Sequence, residues 1–377
     1  MPDWYCPLPF NSISTTTSGY YRPCCVSPPS EIHVNDMNFR EYLKSDYMKE
    51  LREAFLSDYP REKDIVKKYC DKCIKQEEIN VKTRRMRFLE KEYPNFLEMK
   101  ITGNICNLSC VTCHPFSSSR VEERWKELGI EYPEYGKIPR YFRMDDEWWE
   151  NGFDQIVHDY DEIKFSGGEP FVSPVFDDII KRLIKLDWCG GLYITTNGSG
   201  SRKNVNNLLQ KFRYVTLGVS IDGYQRRGEI IRRESSWEHI QNMIWDYVSL
   251  KKKYKEKLDL HITTTTSSLN IGYHNELFEF IKPFYDNSLL KFSISNIVHI
   301  PSWANPYMLP NKIKDLYKER YVNSKIPQKL IETILPALEH SEFDDKKFIR
   351  EFPKLSLLVP EWREFWPEFL PYENISS

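Results

Sequence analysis

The chain has 377 residues, enough for one large domain and a smaller one, with 53 Lys and Arg against 55 Asp and Glu, a formal net charge of -2. That balance leaves no electrostatic footprint for nucleic acid, and the basic runs at 82–87 and 251–257 read as solvated faces. No apolar stretch approaches a membrane span and the start has no signal-peptide core. A mean hydropathy of -0.58 agrees with a soluble, cytoplasmic protein.

Residues 1–95 are expected to form a first domain, rich in cysteine and proline, with a helical stretch near 38–58. From residue 96 to 309 strand-like and helix-like segments alternate six times. The strands are NFLEMKIT, DEIKFSGG, GLYITTNG, YVTLGVSID, LDLHITTTT and SLLKFSIS. Helices are expected over 117–129 and 146–158, 174–187, 202–212, 235–254 and 271–285, with Ser173 before Pro174 and Ser235–Ser236 before Trp237 as caps. Such alternation implies βα units on a parallel sheet, either doubly wound or an incomplete barrel. Residues 310–377 read as a helical extension broken by Pro327, Pro336, Pro353, Pro360, Pro367 and Pro371. The aromatic stretches 145–153 and 359–369 read as core in preference to a substrate groove.

The chain has nine cysteines, eight of them in two clusters at 6–73 and 106–113. In a chain expected to be cytosolic, clustered C-x-x-C spacing points to metal more than to disulfides. Cys189, in LDWCGG, reads as a small buried hydrophobe. Cys106, Cys110 and Cys113 form CNLSCVTC directly behind the first strand. Three thiolates on one tight loop, with no fourth, suit an iron–sulfur cluster that keeps one iron open. Zinc is the competing assignment, but its nearest further ligand, His114, adjoins Cys113 and is badly placed to close a tetrahedron.

CNLSCVTC resembles the signature loop of the radical S-adenosylmethionine (SAM) superfamily. The resemblance implies a partial (β/α)6 barrel in an α/β fold and a [4Fe–4S] cluster on Cys106, Cys110 and Cys113. It also implies SAM at the open iron and cleavage to a 5′-deoxyadenosyl radical, with an external flavodoxin- or ferredoxin-like one-electron reductant. Gly167-Gly168-Glu169-Pro170 is similar to the superfamily's element for the SAM amino group, and Thr195-Thr196-Asn197-Gly198 to a segment lining the same pocket. Ser220 and Asp222, on one face of a strand end, resemble the ribose-binding position. Arg232, five residues before Trp237, resembles the arginine that pairs with the SAM carboxylate. Every one of these falls at a strand's carboxyl end, where barrels gather functional groups.

The N-terminal set, Cys6, Gly19-x4-Cys24-Cys25 and Cys70-x2-Cys73, resembles the twitch domain, the reduced relative of the SPASM domain. It implies an auxiliary [4Fe–4S] cluster on Cys6, Cys24, Cys70 and Cys73, with Cys25 either extra or substituting for Cys24. In familiar members the module follows the barrel; here it precedes it. A four-cysteine zinc ribbon is the alternative. The resemblance implies an oxidative modification of a peptide or protein side chain. The alternatives are a dehydrogenase or epimerase acting on a sugar or other small molecule, and a non-catalytic iron–sulfur electron-transfer protein.

Overall fold

The computed structural model describes residues 4–79, 82–90, 93–131, 140–322, 324–339 and 345–375. They fall into two compact units. The first takes in the described residues of Met1–Asn104, Lys137–Ile194 and Lys211–Val215; the second, those of Ile105–Gly136, Thr195–Gln210 and Thr216–Ser377.

The first unit is built on β1 (Ser12–Thr15), β2 (Tyr21–Arg22), β3 (Phe96–Met99), β4 (Glu162–Phe165) and most of β5 (Gly191–Thr196), in the order β2-β1-β3-β4-β5. Only β2 is antiparallel. Register places Leu97, Ile163 and Leu192 abreast, then Met99, Phe165 and Ile194, and all six are fully buried. Burial of each stabilises by about 1.5–3 kcal/mol relative to exposure. The helix Pro174–Lys185 covers them with Val175, Phe176, Ile179 and Leu183, which share one helical face. Phe176 meets Phe165 edge-on at 4.9 Å. Alternation turns Phe96, Glu98, Glu162, Lys164 and Tyr193 to the opposite face. Because β1 pairs with β3 from Ser12–Phe96 to Ser14–Glu98, strands that precede residue 96 belong to the same sheet.

The second unit holds β6 (Tyr214–Ser220) from Thr216 onward, β7 (Leu258–Thr266) and β8 (Lys291–Ile297). β7 alternates buried and half-buried residues along its whole length and pairs in parallel with β8. Ser236 caps the helix Trp237–Tyr254 by accepting from the His239 N–H, as its sequence position suggests. Counting β3 to β8 with the helices that follow them, six strand-then-helix repeats make the α/β fold of the partial (β/α)6 barrel type, with further helical segments. Pro353 does not break its segment, since the helix Asp345–Leu358 runs through it. Phe348, Phe352 and Leu355, buried at helical spacing, outweigh the one backbone hydrogen bond the proline removes. Among the described residues no helix is long and apolar enough to cross a membrane. The aromatic stretches do contribute core: Phe153, Trp362 and Trp366 are buried, and the Trp366 indole donates to the Leu269 carbonyl at 2.7 Å.

His274, wholly buried beside Thr266, has its imidazole pushed down to about 3 by burial. The unfolded chain takes up that proton below about 6.5, so the fold is favoured above that pH and loses the contribution as pH falls toward 3. Urea unfolding midpoints should therefore drop between pH 7 and pH 4.5, and drop less in His274→Gln.

Candidate active site

In the second unit, backbone bonds hold the cysteine loop from outside. Val111 N–H donates to Ile231 O at 2.8 Å and Ser109 N–H to Arg233 O at 3.3 Å. Ser118 both caps the helix Ser119–Glu127 and donates its hydroxyl to Leu108 O at 2.7 Å. None of these bonds uses a sulfur, so the loop's path is set before any metal binds. Cys106, Cys110 and Cys113 are brought together along it. Burial pushes the Cys110 thiol up to about 12, with Cys106 and Asp222 adding to the rise against Arg232. The Cys113 thiol is raised by burial and then by Cys110 and Cys106. Metal-free, Cys110 and Cys113 are held in their neutral forms; a bound metal reverses this by deprotonating the thiols. Among the described residues no three His, Cys, Asp or Glu side chains converge tightly enough for a single ion. Three thiols spread around a larger cluster need no such convergence, and an all-thiol donor set suits iron–sulfur chemistry.

Arg232 stands against this loop. Its Nη1 donates to Asp222 Oδ2 at 2.7 Å, while its buried Nε has no partner. Burial works against the guanidinium's charge, but Cys110 and Asp222 outweigh it and raise its proton affinity. Asp222 is itself fixed, since Oδ1 accepts from Thr265 N–H at 2.9 Å and its carbonyl from Asn270 Nδ2 at 3.0 Å. Arg233 turns elsewhere, to Leu358 O at 3.0 Å and Glu361 Oε2 at 2.8 Å. Ser220 and Thr195 lie half-buried in the last turns of β6 and β5.

Asn197 is buried, and its Nδ2 donates to Asn107 Oδ1 at 2.9 Å and points to Cys106 Sγ at 3.9 Å. Leu108 N–H adds a second donor to that sulfur at 3.5 Å. Donors to a ligating sulfur stabilise the more negative, reduced state. Asn197→Leu should therefore lower the potential of a cluster on this loop, on the order of tens of millivolts, read by a redox titration followed by electron paramagnetic resonance.

In the first unit, Gly167 and Gly168 both take positive φ, +89° and +54°. A Cβ at 167 would stand 2.6 Å from Thr17 Cγ2, so a side chain there would be strained and crowded. Thr102 Oγ1 donates to Gly167 O at 3.2 Å. Glu169, almost fully buried, accepts from Phe171 N–H and starts the short turn Pro170–Val172.

The same unit gathers Cys6, Cys24, Cys70 and Cys73 around one cavity, with Trp4, Phe55, Tyr69, Arg84 and Arg85 also in its wall. Cys70 and Cys73 share a face of the helix Asp64–Glu78 through their three-residue spacing. Burial raises Cys6 first, then Cys24 and Cys73 raise it further; Cys70 rises by burial and by the other three. Cys25 is outside this wall. Its thiol is pushed up to about 11 by burial and then by Glu98, with Arg84, Cys24 and Arg22 also acting on it. Arg85 and Trp4 both donate to the Glu77 carboxylate, and Arg85 Nη1 to Tyr5 O at 2.8 Å, which ties the N-terminal segment to the helix. Cys189 departs from expectation. It is exposed, not buried, because the turn is fixed by its backbone carbonyl, which accepts from Arg213 N–H at 2.9 Å, and by the buried Trp188.

Residues 100–250 match the family model for the radical SAM superfamily. No curated protein matches the chain significantly. Among solved structures, anSMEcpe with bound AdoMet and the Cp18Cys peptide is 18% identical over 60% of this chain and 61% of that one, with a TM-score of 0.38. Streptococcus suis SuiB bound to S-adenosylmethionine is 16% identical over 80% and 60%, with a TM-score of 0.40. SuiB bound to the precursor peptide SuiA is 13% identical over 84% and 65%, with a TM-score of 0.37. The chain thus spans about three fifths of the length of the first solved structures it matches. The three-cysteine loop lies inside the segment that is similar to the radical SAM superfamily, residues 100–250 of the 377.

Proposed function

We propose that the protein is a radical SAM enzyme that oxidatively modifies a peptide or protein side chain. Cys106, Cys110 and Cys113 would hold a [4Fe–4S] cluster and Cys6, Cys24, Cys70 and Cys73 an auxiliary one. When bound, the first cluster with SAM supplies reductive cleavage to a 5′-deoxyadenosyl radical that abstracts hydrogen from the substrate. The observation that carries this reading is the gathering of three thiols on a loop that backbone bonds hold in place.

The chain's own residues supply position. The Gly167–Gly168 turn brings backbone where a side chain would intrude, and with Glu169 and Pro170 it is assigned to the SAM amino group. Arg232 has five N–H donors, of which Asp222 engages one. Asp222 therefore orients the guanidinium while leaving others for a carboxylate, the bidentate acceptor that arginine suits. Thr195, Asn197 and Ser220, in the second unit with Arg232, are assigned to SAM as well. The four-thiol cavity fits an oxidative outcome, because a substrate radical that ends as a closed-shell product must lose one more electron.

The test is anaerobic reconstitution followed by reduction in the presence of SAM. The expected protein is brown, binds iron and sulfide, and releases 5′-deoxyadenosine. A colourless zinc protein that leaves SAM intact would overturn the reading. Clusters without SAM cleavage would instead make this an electron-transfer protein.

A further inference from the structure

Among the described residues the wall of the four-thiol cavity carries three cationic side chains, Lys72, Arg84 and Arg85, and no carboxylate. The three are not in the same electrostatic state. Lys72 is exposed, so water and salt screen it. Arg85 is compensated, since its Nε and Nη2 donate to the two oxygens of Glu77 at 3.0 and 2.5 Å. Arg84 is neither screened nor fully paired.

Thr83 caps the helix Arg84–Leu89 by accepting from Met86 N–H at 3.3 Å, which fixes Arg84 at the helix start. Phe88, four residues on, shares its helical face. The guanidinium lies 5.1 Å from the centre of that ring and 5.8 Å from the ring of Phe96 in β3. Among the described residues Glu98 is the only carboxylate within 4.0 Å of it, at 3.7 Å, beyond hydrogen-bond reach. Arg84 Nε and Glu98 Oε2 are both buried without a hydrogen-bond partner. The two side chains are only 26% and 11% exposed, so little water reaches them. A loosely paired charge and an unspent buried donor, in the wall of an all-thiol cavity, suit an anionic metal–sulfur group.

We propose that Arg84 sets the reduction potential of an auxiliary cluster on Cys6, Cys24, Cys70 and Cys73, raising it so that the cluster accepts an electron readily. This rests on the oxidative reading above and deepens it. The electron that a substrate radical loses in reaching a closed shell is the one the cluster gains. A cation in the cavity wall favours the more negative, reduced state. Arg84 also runs from that wall to Phe96 and Glu98, on the sheet face opposite the helix Pro174–Lys185, and so joins that face to the four thiols.

The test is a redox titration, followed by electron paramagnetic resonance, on the reconstituted full chain carrying Cys110→Ala, so that the auxiliary centre alone gives the signal. That chain should hold about four iron atoms. Adding Arg84→Met should shift the reduction equilibrium about tenfold toward the oxidised cluster, a fall of about 59 mV for one electron. Arg84→Lys, which keeps the charge, should recover most of the loss. Lys72→Met removes an exposed cation from the same wall and should change the equilibrium less than about twofold. An unchanged midpoint in Arg84→Met, or an equal fall in Lys72→Met, overturns the role of Arg84. Should Arg84→Met assemble no cluster, Glu98→Gln decides. Freed of that carboxylate, Arg84 should raise the midpoint, and a midpoint that stays or falls overturns the proposal. Zinc or no metal on the four thiols removes the auxiliary centre and the role of Arg84 with it. Iron with an unmoved midpoint removes the role of Arg84 alone.

Discussion

Cys110→Ala is expected to reduce 5′-deoxyadenosine formation below about one-thousandth of the unaltered protein's rate. Iron should fall from about eight to about four atoms per chain. Cys110 is the most informative of the three because it is buried and faces both Arg232 and Cys106. Its removal leaves two thiols, and neither backbone bond from Ser109 nor that from Val111 can replace the lost ligand. Those bonds, with Ser118 on Leu108, do not depend on the sulfur. The variant should therefore fold, and its far-ultraviolet circular dichroism should be unchanged. Cys110→Ser should fare little better, since a hydroxyl oxygen is a harder donor than iron–sulfur clusters take. Undiminished SAM cleavage in either variant would mean that the loop is not the cluster's seat.

Much of this was legible because it lies in one continuous stretch or in a simple period. The six strand–helix repeats follow from alternation of apolar runs with helix-length segments, and their observed limits differ from expectation by a few residues at the ends. The CNLSCVTC spacing needs no tertiary knowledge to read. What sequence could not give is orientation. Arg232 and Arg233 are adjacent and chemically alike, and only the packing against Glu361 and Asp222 shows which one faces Cys110. Cys24 and Cys25 pose the same problem, and it is Cys24 that lines the cavity with Cys6, Cys70 and Cys73. The helix through Pro353 was hidden for another reason, since a proline's local cost is visible in sequence and the aromatic packing that offsets it is not.

The double variant Cys70→Ala, Cys73→Ala separates the two proposed centres. It should retain 5′-deoxyadenosine release within about a factor of three, a difference of under 1 kcal/mol in barrier. It should lose the oxidised product, and its iron should again fall to about four atoms per chain. The substitutions remove two of the four thiols in the cavity wall from a single helical face. They leave the Arg85–Glu77–Trp4 contacts that hold the helix to the N-terminal segment. The expected signature is uncoupling: a substrate radical still forms, but the outlet for its second electron is gone, so it is quenched and the ratio of 5′-deoxyadenosine to product rises steeply. Cys25→Ser, outside the cavity wall, should keep that ratio at its original value. Full product formation by the double variant would remove the electron-transfer role. Equal loss of product and of SAM cleavage would show instead that the four thiols hold the fold together.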